Sequence, residues 1–118
     1  MLIKKYLSKF SINNIKLLTS NNIINSDNII NSDNIINSDI FISNYAFTEC
    51  CKEVQDIYIK NIIKNAKHGY ITCNFISNIF NIDSYNENEL IKILSSYHNI
   101  KYEQENPLTH NKNILIWW

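Results

Sequence analysis

Two polar segments of this chain carry residue types that could bind a small molecule and move a proton. The first, SNYAFTE, holds Asn44, Tyr45 and Glu49, and the second, NPLTHN, holds His110. Carboxylates and imidazoles are common general bases, so Glu49 and His110 are the candidate catalytic residues. Asn44 and Tyr45 offer an amide and a phenol that could line a cofactor or substrate pocket.

Each of these residues also has an ordinary structural interpretation. Glu49, in the first turn of a predicted helix, would be a routine partner of the helix dipole. Asn44 is a common turn residue, and His110 beside Asn and Lys is typical of a solvated loop. Glu49 fits both roles, whereas His110 fits the loop role better.

The elements around the first segment are predicted to be strand, loop, helix and strand. Ile40-Phe41-Ile42 is typical of a buried parallel strand that ends at the carboxyl edge of a sheet. Thr48 is predicted to cap the helix and Gly69 to end it in the left-handed conformation, before a strand over residues 70–75. Three- and four-residue spacing predicts one buried helix face of Cys51, Val54, Tyr58, Ile59, Ile62, Ile63 and Ala66.

A second helix and a hairpin are predicted to follow. Asn86 with Glu89 three residues later is typical of a capping box. Residues 100–103 and 113–118 alternate or are strongly apolar, which predicts an antiparallel hairpin around Asn106-Pro107. Ligands of open α/β sheets bind beyond the carboxyl ends of the parallel strands, where both polar segments would lie. The predicted helix that begins after Asn86 is expected to bury four side chains: Leu90, Ile91, Leu94 and Tyr97.

The first 39 residues differ in character from the rest. Residues 22–39 are three perfect copies of NIINSD, whose six-residue period does not keep the isoleucines on one helix face. A loop or linker is the favoured prediction, with short strands broken by turns as the alternative, because three copies are few for a β-solenoid. The apolar spacing within residues 2–10 predicts a packing helix there.

Composition argues against several classes of partner. The formal net charge is zero and all eleven basic residues are lysines, so nucleic-acid binding is not expected. No apolar run is long enough to span a bilayer, and membrane association is not expected. The three cysteines show no metal-ligand spacing, so no metal is expected, and they favour a reduced, cytoplasmic compartment.

The amino-acid sequences of three segments resemble those of the sugar O-methyltransferases, a branch of the class I S-adenosylmethionine-dependent methyltransferases. These are SNYAFTE, EVQDIYIKNIIKNAKHGYITCN and the C-terminal NPLTHNKNILIWW, so the resemblance covers residues 40–118 and, less specifically, 1–21. It implies an α/β fold with part of a Rossmann-like methyltransferase sheet, in the order strand, helix, strand, helix, antiparallel hairpin. For residues 1–21 it implies a helix over 2–10 and a short strand over 15–18. It also implies S-adenosylmethionine as cofactor and a sugar or glycan acceptor, with Asn44 and Tyr45 in the pocket.

One departure from the family dominates the functional interpretation. The family holds its methyl donor on a glycine-rich turn, and this sequence has a single glycine, Gly69. The donor-binding front half is therefore expected to be missing, and the lone chain is expected not to bind S-adenosylmethionine. Three hypotheses remain open: a truncated or split enzyme needing a complementary N-terminal half, an inert remnant, or an interaction module. The module would pair the exposed strand edge of residues 40–42 with a partner chain or in a homodimer.

The linker interpretation of the repeat makes a testable prediction. Deleting the middle copy, residues 28–33, should change the free energy of unfolding by no more than about 0.6 kcal/mol, because loop-closure entropy depends weakly on length. Urea unfolding measures this change. A loss of several kcal/mol would show instead that the repeats form packed structure.

Overall fold

The computed structural model describes residues 37–118, and the elements begin at residue 40. They are, in chain order, β1 (Ile40–Asn44), α1 (Lys52–Asn61), β2 (His68–Asn74), α2 (Glu87–Ser95), β3 (Lys101–Gln104) and β4 (Asn113–Trp117). Short 3₁₀ turns at Ile63–Asn65 and Ser77–Phe80 follow α1 and β2. The predictions for residues 1–21 and for most of the repeat fall outside the described residues.

The four strands form one mixed sheet in the order β1-β2-β4-β3. β1 and β2 are parallel and are joined through α1, whereas β4 runs antiparallel to both β2 and β3. The predicted α/β class, the strand-helix-strand unit and the final antiparallel hairpin are therefore confirmed. Within residues 37–118, neither helix has the length and hydropathy that crossing a bilayer requires.

The core lies on one face of this sheet, between the strands and both helices. Ile71 of β2 and Ile116 of β4 are register partners and are fully buried there. Burial of apolar side chains is the main favourable term in folding, so this layer holds the helices onto the sheet. The buried cluster comprises Phe47, Ile59, Ile63, Ile71, Cys73, Leu90, Leu94, Ile114 and Ile116.

The first helix is shorter than predicted, and Thr48 does not cap it. α1 begins at Lys52, and the preceding residue, Cys51, makes no side-chain cap. Thr48 does not cap the helix because it is buried against β2 and bonded to Asn74. The helix ends at Asn61 and the chain continues as a 3₁₀ turn. Of the predicted buried face, Ile59, Ile63 and Ala66 are buried and Cys51, Val54, Tyr58 and Ile62 are half-buried.

Gly69 does not end a helix, so that prediction is wrong. It lies inside β2, and no described glycine has a positive φ. Its backbone exchanges two hydrogen bonds of 3.2 Å with Trp118, whose indole lies over it. A Cβ at this position would stand 2.0 Å from Cη2 of that indole. Glycine is therefore required by close packing, not by backbone conformation.

The second helix is confirmed together with its capping box. The Asn86 side chain accepts from the Glu89 amide, and the Glu89 carboxylate accepts from the Asn86 amide. Leu90 and Leu94 are fully buried. Tyr97 lies beyond the end of α2 and is 45% exposed, so its predicted inward position is wrong.

The burial predicted for β1 holds for only one of its faces. Phe41 packs edge-on against Phe47, with ring centroids 6.2 Å apart, and contacts the core. Ile40 and Ile42 point to the opposite face and are 54% and 61% exposed. β1 pairs only with β2 among the described strands, so it lies at one edge of the sheet that residues 37–118 form.

We expect Gly69→Ala to lower the free energy of unfolding by about 1–3 kcal/mol, because the new methyl group must displace the Trp118 ring. Urea unfolding measures the loss. The same substitution in a Trp118→Ala background should cost clearly less, since the obstructing indole is then gone. An equal cost in both backgrounds would contradict the packing explanation.

Candidate functional site at the carboxyl edge of the sheet

Three loops meet at the edge of the sheet where β1, β2 and β3 end. They are residues 45–51 after β1, residues 75–86 after β2 and residues 105–112 between β3 and β4. Because β4 runs in the opposite direction, its first residue, Asn113, also lies at this edge. Both polar segments singled out in the sequence are therefore at the same edge.

The Glu105 carboxylate is the centre of a hydrogen-bond cluster at this edge. It accepts from the Tyr45 hydroxyl, from the Thr109 hydroxyl and amide, and from Asn113 Nδ2 at 3.0 Å. The bonds from Thr109, Tyr45 and Asn113 lower the pKa of Glu105 to about 2. A carboxylate so well satisfied is a weak base, and its role here is to tie two distant loops together.

Tyr45 is held at both its backbone and its hydroxyl. Its φ is 62°, in the left-handed region that a non-glycine residue seldom occupies. Its amide donates to the Thr72 carbonyl at 2.8 Å, and its hydroxyl bonds to Glu105, which raises the pKa of Tyr45. The phenol is thus a fixed hydrogen-bond donor and not a base at neutral pH.

Glu49 lies between β1 and α1, three residues before the helix begins, so it is not in the first helical turn. One of its carboxylate oxygens, Oε1, accepts from Asn74 Nδ2 at 2.8 Å. Its Oε2 accepts no hydrogen bond from the described residues, and the side chain is exposed. Glu49 therefore has one anchored oxygen and one that a ligand hydroxyl can reach.

Asn74 couples Glu49 to the buried Thr48. The Asn74 backbone amide donates to Thr48 Oγ1 at 3.1 Å. The Thr48 hydroxyl oxygen also lies 2.9 Å from both the Tyr45 carbonyl and Asn74 Oδ1. The hydroxyl has one proton, so it donates to one of these two oxygens at a time. These bonds hold the loop that carries Glu49 against the end of β2.

Two buried serines fix the next loop to the same backbone. Ser77 Oγ donates to the Thr48 carbonyl at 2.7 Å, and Ser84 Oγ lies 2.8 Å from that carbonyl and 2.9 Å from the Cys50 carbonyl. Buried carbonyls need such partners to offset their desolvation. The loop after β2 is consequently attached to the Glu49 loop at both of its ends.

His110 is exposed in the loop between β3 and β4. Its Nδ1 accepts the Lys112 amide at 3.2 Å, which leaves the proton of the neutral ring on Nε2. To act as a base the ring would have to give up this bond. Among the described residues no hydrogen bond links His110 to Glu49, so the geometry favours the solvated-loop interpretation of His110.

Asn44 is the last residue of β1 and is exposed beside Tyr45. Its Oδ1 accepts from the Thr72 hydroxyl at 3.2 Å, and its own amide nitrogen donates to no described residue. The structure thus places Tyr45 and Glu49 on the loop that follows Asn44 and joins that loop to the His110 loop through Glu105. Asn44 keeps a free donor at the rim of the site.

Glu105, Asn74 and Asn113 were missed by the sequence analysis. Asn74 and Asn113 are register partners on adjacent antiparallel strands, where facing side chains are close neighbours. Each anchors one carboxylate, Asn74 holding Glu49 and Asn113 holding Glu105. Their position at predicted strand ends was visible in the sequence, but the register that pairs them was not.

An apolar cleft of about 240 Å³ lies on the other side of the β1 loop. Burial is the largest cause that raises the pKa of the Cys50 thiol in its wall, so this cysteine is not an activated nucleophile. Within residues 37–118 no three acidic, histidine or cysteine side chains converge as a metal site would require. The lining residues are Phe41, Ile42, Ser43, Ala46, Phe47, Cys50 and Tyr58.

No protein-family model, curated protein or solved structure matches this chain.

The Glu105 cluster predicts an acid-sensitive contribution to stability. The folded-state pKa of about 2 lies below the ordinary value of 4.5, so the contribution is complete above pH 4.5 and is lost as pH falls towards 2. Glu105→Gln should therefore be less stable than the native chain at pH 7, and the difference should shrink over this acid range.

Urea unfolding at several pH values measures this difference. Glu103→Gln is the matched control, because Glu103 is exposed on the neighbouring strand β3. It should show a much smaller dependence on pH. A pH-independent difference for Glu105→Gln would mean that the loops are held without its charge.

Proposed function

We propose that this chain is the acceptor-binding C-terminal half of an S-adenosylmethionine-dependent sugar O-methyltransferase, and that residues outside this sequence supply the donor site. The observation that carries the proposal is the position of Glu49 at the carboxyl edge, anchored through one oxygen and open at the other. This edge is where open α/β sheets bind their ligands.

The sheet supports the assignment to the class I methyltransferase group. A parallel strand-helix-strand unit is followed by a helix and an antiparallel hairpin, and the last strand, β4, opposes both its neighbours. This is the ending that the resemblance of residues 40–118 implies. The free thiols Cys50, Cys51 and Cys73 favour the cytoplasm as the compartment of the proposed activity.

The described residues do not fit the methyl donor itself. Gly69, the one glycine, is enclosed in β2 beneath Trp118 and cannot offer its backbone to a ligand. What these residues can do is bind and deprotonate an acceptor. Methylation of a hydroxyl requires removal of its proton at about the moment of attack, and Glu49 Oε2 is placed to accept that proton.

Two neighbouring groups would orient the acceptor sugar, and a third would orient Glu49. The Asn44 amide offers a donor to a sugar oxygen, and the fixed phenol of Tyr45 forms the adjacent wall. Asn74 holds the carboxylate of Glu49 in place, which limits the reorganisation needed when the proton moves. Glu105 would act on the site only by positioning Tyr45 and the loop after β3.

A non-catalytic interaction module is the second candidate, favoured by a different observation. β1 pairs with β2 alone among the described strands, and its exposed Ile40 and Ile42 flank backbone groups that a partner strand could engage. The partner in this case would be another chain or a second copy. In such a module Glu49 would have no role in turnover.

Two measurements test the enzyme proposal. Calorimetric titration of the lone chain with S-adenosylmethionine should show no saturable binding, because backbone suited to the donor is absent from residues 37–118. Co-expression with a glycine-rich methyltransferase front half should give a soluble complex that transfers methyl groups to a sugar. In that complex Glu49→Gln should lower kcat by about 10²-fold or more, as expected for loss of a general base.

Glu53→Gln is the matched control, since Glu53 is also exposed and lies four residues further on, in the first turn of α1. It should leave the rate unchanged. Equal rates for the two variants would contradict the role of Glu49. A stable complex without methyl transfer would favour the interaction module, and micromolar donor binding by the lone chain would place the donor site on this chain.

A further inference from the structure

The face of the sheet opposite both helices carries an apolar surface, which we call the open face. Its members alternate along the strands with the core residues, so Tyr70 flanks Ile71 and Trp117 follows Ile116. The core residues face α1 and α2, and no described helix lies on the other side. Its apolar residues are Ile40, Ile42, Tyr70, Leu115 and Trp117, and it also holds the buried Thr72 and, on β3, Lys101 and Glu103.

A continuous apolar row crosses three strands of this face. The register pairs Ile42 with Tyr70 and Tyr70 with Trp117, and paired residues project to the same side of a sheet. Ile42 is 61% exposed and Tyr70 is 41% exposed. An apolar row of this kind on a sheet is ordinarily covered by a second layer.

We propose that the open face is the docking site of this chain's own N-terminal segment, residues 2–10. That segment lies outside the described residues, and its sequence, LIKKYLSKF, has the spacing of an amphipathic helix. One stripe is apolar and the opposite one carries three lysines. The apolar stripe comprises Leu2, Ile3, Tyr6, Leu7 and Phe10.

The dimensions of the segment and the row agree. Nine residues in a helix extend about 14 Å, at about 1.5 Å per residue. Three adjacent strands span about 10 Å between the outer two, and their side chains add to this width. One such helix can therefore cover the row from Ile42 to Trp117, with its lysines turned to the solvent.

Connectivity favours this occupant over a second copy of the chain. Residues 11–39 join the segment to β1, and β1 itself contributes Ile40 and Ile42 to the open face. A tether of this length reaches any point of the face, because an extended chain spans about 3.4 Å per residue. It also keeps the segment at an effective concentration in the millimolar range, which separate copies reach only at very high protein concentration.

The inference gives the NIINSD repeat a physical role. Its turn-forming and polar residues suit a solvated connection between a docked segment and the first strand of the sheet. The connection ends in the sheet, because the carbonyls of Ser38 and Asp39, which close the third copy, accept from the amides of Lys67 and His68. The number of copies would then set the reach of the tether and not the packing of the core.

Tryptophan fluorescence of the full chain tests the inference. Trp117 is on the open face, whereas Trp118 is on the opposite face, stacked on His98 with ring centroids 4.5 Å apart. Leu7→Asp places a charge in the apolar stripe, so it should release the segment, shift the emission to longer wavelength and increase quenching by acrylamide. Ser8→Asp adds the same charge outside the stripe and should leave the emission unchanged.

Further variants assign the signal to the open face. The shift caused by Leu7→Asp should disappear in a Trp117→Phe background, and Leu7→Ser tests the same contact if the aspartate variant fails to fold. Unchanged emission in Leu7→Asp and Leu7→Ser would overturn the proposal. A native dimer whose emission shifts on dilution would also overturn it and would assign the open face to a second copy. A blue shift of the native emission on addition of phosphatidylglycerol vesicles would overturn it as well and would assign the open face to lipid.

Discussion

The register between β2 and β4 is the constraint on which the rest of the structure depends. It sets Ile71 opposite Ile116 and Cys73 opposite Ile114, and so builds the surface on which both helices rest. A slip of one residue would turn all of these side chains to the other face. The same register brings Asn74 beside Asn113 at the carboxyl edge, so core and candidate site are set by one ladder of hydrogen bonds.

At that edge, charge and hydrogen bonds hold the loops together, whereas in the core apolar burial holds the helices on the sheet. Glu105 accepts from Tyr45 and Thr109 in two loops and from Asn113 at the start of β4, and these bonds favour its ionised form and lower its pKa. Glu49 has a single described partner and an open oxygen. The two carboxylates are thus suited to different work: the satisfied one orders the loops, and the unsatisfied one can exchange a proton with a ligand.

The sequence could predict elements whose signals are local, and it failed where a distant residue decides. The capping box of Asn86 and Glu89 lies within one helical turn, and it was predicted correctly. Gly69 was interpreted as a helix stop because nothing near it in the chain reveals that Trp118 will lie over it. Glu105 was missed for the same reason, since its partner Tyr45 is sixty residues away.

The two faces of the sheet impose different demands on the chain. One face is covered by α1 and α2, and the loop between β1 and α1 is held to this core by Phe47, which packs against Phe41 and Tyr58. The opposite face carries Ile42, Tyr70 and Trp117 in one row and ends in Asn44 and Asn74 at the carboxyl edge. Whatever covers this row therefore borders the candidate site, because Asn74 at the end of this face holds the carboxylate of Glu49.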